Sequence, residues 1–495
     1  MERMTTSSIL IHTGVNFLLS RQDLMFAFTI FLSLHDLCQW DRAFTNTGMR
    51  ESWLSLVKDV ICMSGPCYIS LKESDGLKVQ WLINRHIHPS GSGISFSINW
   101  GSFSINSVQR DPRALTPELV AVFALQSKLR FLDISFHNYT SDEPDKSFEK
   151  NFVQGLCDSL ESHNTLSAII ALKVIHMGCL SSVQLEVLTK FCPQLDRLEV
   201  CLSSGDSIKY LKNCPALRTL YLHLDMCEFV TRGMEHLVVN CLELQCLVFS
   251  KASALTDLDL EVLAGGCKKL KKLSLPHNVS AAGSAHLIEA CHDSLEFIIS
   301  SLPISNTIFG LLTTCLKLRY VQFTEGNVGK ENEVENYVSD AVLIAFSESC
   351  QSLQVIRLLS RHHFCPRIRI ALGMHCPGLL SICLNEGRSI DDAALNIISK
   401  SCPNLRHIHL NHSPVTDEGV RRLLDDCPRL SRVFLGSCLH VTNLAYRLLA
   451  ESLSMVSLNV YGCPRIDDNS TPYKYLGLIE PDCIPVFHDY DDYII

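Results

Sequence analysis

"SCPNLRHIHLNHSPVTDEGVRRLLDDCPRL", residues 401–430, carries one short phrase twice, Cys402-Pro403-x-Leu405 and Cys427-Pro428-x-Leu430. With the proline free to vary, the phrase recurs at Cys192, Cys214, Cys241, Cys267, Cys315, Cys350 and Cys376, and at Cys291 with one extra residue before Leu295. Successive cysteines stand 22, 27, 26, 24, 24, 35, 26, 26 and 25 residues apart. A steady period of this size marks stacked repeats, each too small to bury its apolar face alone.

An apolar alternation follows each phrase, as in Leu405-x-x-Ile408-x-Leu410, Leu430-x-x-Val433-x-Leu435 and Leu353-x-x-Ile356-x-Leu358. Its period of two predicts a short strand with one buried face. A hydroxyl residue beside Asp or Asn comes next, in Val415-Thr416-Asp417, Val338-Ser339-Asp340, Leu255-Thr256-Asp257 and Val441-Thr442-Asn443. A side-chain oxygen there caps the free amides of a helix start. Val420, Leu423 and Leu424 then keep helical spacing until the next cysteine. One unit is therefore strand, turn, helix and return. The cysteine marks its corner as a compact apolar filler, with proline stopping the helix.

Composition agrees. With 495 residues, 47% of them hydrophobic, and a net charge of -9, the chain buries a large core and is not disordered. A chain beyond ~250–300 residues normally splits into several cores unless it grows in one direction as a solenoid. Mild acidity argues for neither nucleic acid nor an anionic membrane as partner. The strongest early apolar run, Leu24 to Leu34, is about half the ~20 residues needed to span a bilayer. It follows Asp23 and lacks a small-residue cleavage site, so no secretory signal is expected. The 23 cysteines are expected to be reduced and mostly buried, in a cytoplasmic or nuclear protein.

These features resemble the cysteine-containing leucine-rich repeat, C-P-x-L-x-x-L-x-L-x-x-C-x-x-I-T-D-x-x-L. Its second cysteine has counterparts in Cys438, Cys463 and Cys179. The likeness covers residues 192 to about 468. It extends back toward 115 through Leu129-x-x-Leu132-x-Ile134 and Leu166-x-x-Ile169. The resemblance implies an α/β leucine-rich-repeat solenoid, a horseshoe with a parallel β-sheet on the concave face and helices on the convex face. Strand alternation sends positions two, four and six after each lead leucine out of that sheet. In the first repeats these include Tyr221, His223, Lys272, Tyr320 and Gln322. Later ones supply Arg357, His407, His409, Asn411, Arg432 and Phe434. Aromatic residues and arginine are the usual anchors of protein interfaces, and a protein target is the expected partner.

The first 110 residues lack the cysteine series. "FLSLHDLCQWDRAFTNTGMRESWLSLV", residues 31–57, reads as short helices with apolar faces from Leu32, Leu34, Leu37, Trp40, Phe44 and Trp53. It resembles a divergent F-box, whose helices grip a Skp-type adaptor and so join a cullin ubiquitin ligase. The usual Leu-Pro opening is absent, and Met49-Arg50-Glu51-Ser52-Trp53 replaces the basic ending. The same segment serves equally as a helical cap over the first coil. Trp81 to Ile87 is expected to form a joining helix and Ile94 to Trp100 the first strand. The expected organisation is a helical region over 1–110, repeats over 111–468 and a tail or cap over 469–495. The 35-residue step places "TEGNVGKENEVENY" in a surface loop.

His362, His363, Cys365, His375 and Cys376 cluster in sequence but lack the paired spacing of a closed zinc site. No phosphate-binding, dinucleotide or nucleophile-elbow motif is present. Neither enzyme activity, cofactor nor metal is expected. The readings left open are a substrate receptor of a cullin-type ligase and a scaffold with no ligase role. A small-molecule sensor is a third, for which the exposed row is too mixed in charge.

Overall fold

The computed structural model describes residues 69–71, 93–100, 121, 131–138, 146–163, 169–175, 179–224, 227, 230–250, 252–324, 338–359, 366–384 and 390–466, with Glu51 and Leu54. Contacts divide the chain into two compact units, Met1–Leu255 and Thr256–Ile495. The expected boundaries near 110 and 468, and the sequence 325–337 of the long repeat, lie outside the described residues.

In the first unit the described strands pair in parallel and in chain order: β1 (Ile69–Leu71), β2 (Gly93–Trp100), β3 (Phe131–Asn138), β4 (Ala171–Ile175), β5 (Arg197–Cys201), β6 (Thr219–His223) and β7 (Cys246–Ser250). The strand expected from Ile94 is thus not the first. β1 lies beside it with Ile69 opposite Ile94, and three residues are too few to display an alternation in sequence.

The phrase Leu166-x-x-Ile169 is also corrected. Ala171 pairs with Arg197 and the Asp196 amide donates to the Ile170 carbonyl at 2.7 Å. Ile169 is therefore the lead residue, followed inward by Leu172 and Val174. This coil has no anchor cysteine, so its apolar spacing alone left the phase open.

The second unit repeats the plan with β8 (Lys272–Leu275), β9 (Phe297–Ser300), β10 (Tyr320–Thr324), β11 (Val355–Leu359), β12 (Ser381–Leu384), β13 (His407–His409), β14 (Arg432–Phe434) and β15 (Ser457–Asn459), again parallel neighbours in order. Lead leucines 353, 379, 405 and 430 and the inward residues Ile356, Ile382, Ile408 and Val433 form buried columns. Each such side chain contributes ~1.5–3 kcal/mol by leaving water. The long step leaves the ladder undisturbed, since Tyr320 pairs with Val355 through to Thr324 with Leu359. Phe309 fills that coil, its ring 5.1 Å from Phe323 and 5.3 Å from Phe346.

The predicted hydroxyl caps form. Ser339, Thr416 and Thr442 each accept from an amide in the first turn of their helix, whereas Thr256 donates both its amide and its hydroxyl to Asp259 Oδ2, each at 2.7 Å. At the other end the cysteine amide closes the helix, as from Cys402 to the Ile398 carbonyl at 2.9 Å.

The thiol does more than fill space. It points to the coil before: Cys427 Sγ donates to the Cys402 carbonyl at 3.5 Å, Cys402 to Cys376 at 3.6 Å and Cys376 to Cys350 at 3.6 Å. In the first unit Cys214 does the same toward Cys192 at 3.5 Å. A carbonyl left over at a helix end thus gains a weak donor. The second cysteine position also donates backward, from Cys438 to Leu410 at 3.1 Å and Cys463 to Leu435 at 2.9 Å. Cys227 belongs to this set, bonding Leu202 at 3.2 Å. Every described cysteine from Cys157 to Cys463 is a free, buried thiol. Among the described residues no helix is long and apolar enough to cross a membrane.

Candidate interaction face

Outward strand residues fall into rows across the ladder because parallel pairing holds equivalent positions side by side. In the first unit one row runs Asp133, Lys173, Glu199, Tyr221, Val248. Its charges meet each other. Lys173 Nζ lies 3.3 Å from Glu199 Oε1, and His223 Nε2 lies 3.6 Å from the same oxygen. The Arg197 guanidinium sits 5.0 Å above the Tyr221 ring. Tyr221 is consequently only 4% exposed.

In the second unit the first row begins Lys272, Phe297, Tyr320, Val355. Lys272 Nζ lies 4.8 Å over Phe297, whose ring stacks on Tyr320 at 6.0 Å. The Tyr320 hydroxyl donates to Gln322 Oε1 at 2.5 Å. Tyr320 and Gln322 are 3% and 1% exposed, so these two are held by neighbours rather than offered to water. Lys272, Arg357, His407, His409, Arg432 and Phe434 are half-buried.

His409 stacks on Phe434 with ring centroids 4.1 Å apart. Burial, and then the guanidinium groups of Arg432 and Arg357, hold His407 down to about 3. Burial and Arg357 hold His409 down to about 4. Both imidazoles are neutral at physiological pH. Asn411 is a tie between coils, its Oδ1 accepting from the Gly436 amide at 2.7 Å.

Arg197, Glu199, Phe297 and Cys383 also belong to these rows. The signal for them was present, because they stand at positions two and four after Leu195, Leu295 and Leu379. Leu32, Leu34, Leu37, Trp40, Phe44 and Trp53 lie outside the described residues. So do His362, His363 and Cys365, and no group of three or more metal-binding side chains occurs among the described residues.

No protein-family model matches the chain. F-box/LRR-repeat protein 23 of Arabidopsis thaliana is 34% identical over 77 residues, which is 14% of this chain and 17% of that protein. F-box/LRR-repeat protein 9 of the same plant is 30% identical over 73 residues, 14% of this chain and 29% of that protein. The matches thus span less than a third of either relative's length. Among solved structures, the yeast complex of Rad7 and Elc1 contains a chain with a TM-score of 0.49 and 16% identity, covering 68% of this chain and 87% of that one. The cysteine ladder, capped helices and in-order parallel strands are those of a leucine-rich-repeat fold, and the two plant relatives that share part of its sequence are F-box/LRR-repeat proteins.

Proposed function

We propose that this is a protein-interaction module serving as a substrate-recognition subunit of an SCF-type cullin ubiquitin ligase. In this reading the segment over 24–57 holds a Skp-type adaptor and the sheet face holds the target protein, in the cytoplasm or nucleus. No bond is made or broken by this chain's own side chains. The observation that carries the reading is the outward row of half-buried arginine, histidine and phenylalanine on adjoining strands, the residue types that anchor protein interfaces. The F-box/LRR-repeat relatives support the ligase part. A leucine-rich-repeat scaffold without a ligase role rests on the absent Leu-Pro opening.

The two readings separate on adaptor capture. The full chain is mixed with a purified Skp-type adaptor, and the complex is measured by size-exclusion chromatography. A stable complex, lost in a Leu37→Asp, Trp53→Ala double variant that keeps its far-ultraviolet circular dichroism, supports the ligase reading. No complex, under conditions where a known F-box protein forms one, removes it and leaves the scaffold.

A further inference from the structure

Two thiols of the first unit face each other. Cys179 Sγ lies 2.7 Å from Cys201 Sγ, 22 residues later in the chain. That separation is shorter than the 2.9 Å from Cys463 Sγ to the Leu435 carbonyl oxygen, although sulfur is the larger atom. It also lies inside the ~3.5–4.0 Å at which even carbon atoms rest together. The backbone holds the pair in place. Cys179 takes a left-handed conformation, with φ at 53°, a region that favours glycine. The adjoining Leu180 amide donates to the Cys201 carbonyl at 2.7 Å, and the Leu180 carbonyl accepts the Ser203 amide at 3.0 Å and the Ser203 hydroxyl at 2.9 Å. A residue with a side chain keeps such a conformation where its surroundings over-determine it, and such residues cluster at functional sites. Both cysteines also stand nearer to solvent than the anchor thiols: Cys179 and Cys201 are 5% and 7% exposed, whereas Cys376 and Cys402 are 0% exposed.

We infer that Cys179 and Cys201 are a site of reversible oxidation, closing to a disulfide that ties the coil of β4 to the coil of β5. A bonded pair of sulfurs is ~2.05 Å apart, so an approach of roughly 0.65 Å completes the bond. The oxidant is a small peroxide, of which hydrogen peroxide is the simplest. The thiolate of one cysteine attacks a peroxide oxygen and the O–O bond breaks, leaving a sulfenic acid and a hydroxide that takes up the proton the thiol lost. The second sulfur then attacks the sulfenic sulfur. The S–S bond forms, the S–O bond breaks, and the departing hydroxide leaves as water with the second thiol's proton. The two thiols thereby lose two electrons and two protons, and the peroxide becomes two waters. A dithiol reductant reverses the step by thiol–disulfide exchange. In a reducing compartment a disulfide of this kind is transient and redox-sensing. The site requires neither an adaptor nor a target protein, so it is independent of the ligase reading.

The test is disulfide mapping on the full chain by mass spectrometry. Reduced protein is separated from its reductant, treated with hydrogen peroxide, alkylated with iodoacetamide and digested with trypsin. Cleavage after Lys173, Lys190, Arg197 and Lys209 leaves residues 174–190 and 198–209, each with a single cysteine. The expected product is these two peptides joined, two hydrogens lighter than their sum, and absent when dithiothreitol is added before alkylation. The link should form roughly tenfold faster or more in the folded chain than in concentrated urea, because the fold supplies the proximity. Recovery of both peptides only in alkylated or sulfinic acid form would overturn the inference. So would Cys179 joined to a different cysteine, a link that dithiothreitol does not release, or one that forms equally fast in urea.

Discussion

Asp392 accepts two hydrogen bonds from Thr416, 24 residues later: from the amide at 2.9 Å and from the hydroxyl at 2.6 Å. Thr416 at the same time accepts from the Glu418 amide at the start of its own helix. One coil's first helical residue thus holds the next coil's cap in place. The device recurs where Asp257 receives Ser280 at 2.7 and 2.6 Å, and where Asp417 receives Thr442 at 2.8 and 2.6 Å.

Removing the carboxylate leaves the Thr416 amide and hydroxyl without their charged acceptor. Asp392→Ala should lower stability by roughly 1.5–3 kcal/mol. Asp392→Asn, which keeps one acceptor oxygen, should cost less. Urea unfolding followed by circular dichroism reads both, with a lower midpoint and an unchanged slope expected; equal midpoints for the Ala variant and the parent would refute the role.

Gly419 lies in the helix Asp417–Asp426 and is buried against that carboxylate. A methyl group there would collide with the Asp392 side chain, whereas one at Gly310 would meet nothing within 4 Å. Glycine to alanine in a helix ordinarily stabilises by ~1 kcal/mol. Gly310→Ala should follow that rule and Gly419→Ala should reverse its sign. Adding Asp392→Ala to Gly419→Ala should destabilise by less than the sum of the two, as a double-mutant cycle would measure.

Burial pushes the Cys376 and Cys427 thiols up to about 12 from 9.0. In the unfolded chain the same groups ionise near 9, so the unfolded state releases protons first as pH rises. Stability from these thiols is complete below pH 9 and declines from there toward 12, by ~1.4 kcal/mol per pH unit for each. Cys427→Ala should therefore be less stable at pH 7, from the cavity and the lost donor, yet show a shallower decline between pH 9 and 11. Unfolding curves across that range decide; parallel declines would contradict the burial argument.

His407 and His409 run the other way. Their folded values, about 3 and about 4, lie below the ordinary 6.5, so the unfolded state takes up protons first as pH falls. Their stability is complete above 6.5 and is lost as pH drops toward 4, at ~1.4 kcal/mol per unit for each group. His409→Phe, which preserves a ring against Phe434, should reduce that acid slope by about one histidine's share. Nuclear magnetic resonance of the ring protons offers a direct check, with both imidazoles neutral down to pH 5.

The strands, the helix caps and the cysteine corners were legible in the chain itself because each is decided within a few residues. Alternation puts Ile408 inward and His409 outward whatever the neighbours are, and Thr416 caps the helix it precedes. What lay beyond the sequence depends on atoms about 25 residues away. The Asp392 carboxylate reads locally as part of a cap, and only stacking turns it toward Thr416. Cys427 reads as a small hydrophobe until the Cys402 carbonyl is set 3.5 Å from its sulfur. Tyr320 and Gln322 point outward by alternation, yet the adjoining side chains cover them. The phase of the coil at Ile169 was settled by its pairing with a neighbour. Local chemistry therefore determined each coil, and tertiary packing decided which of its polar groups hold the stack and which remain for a partner.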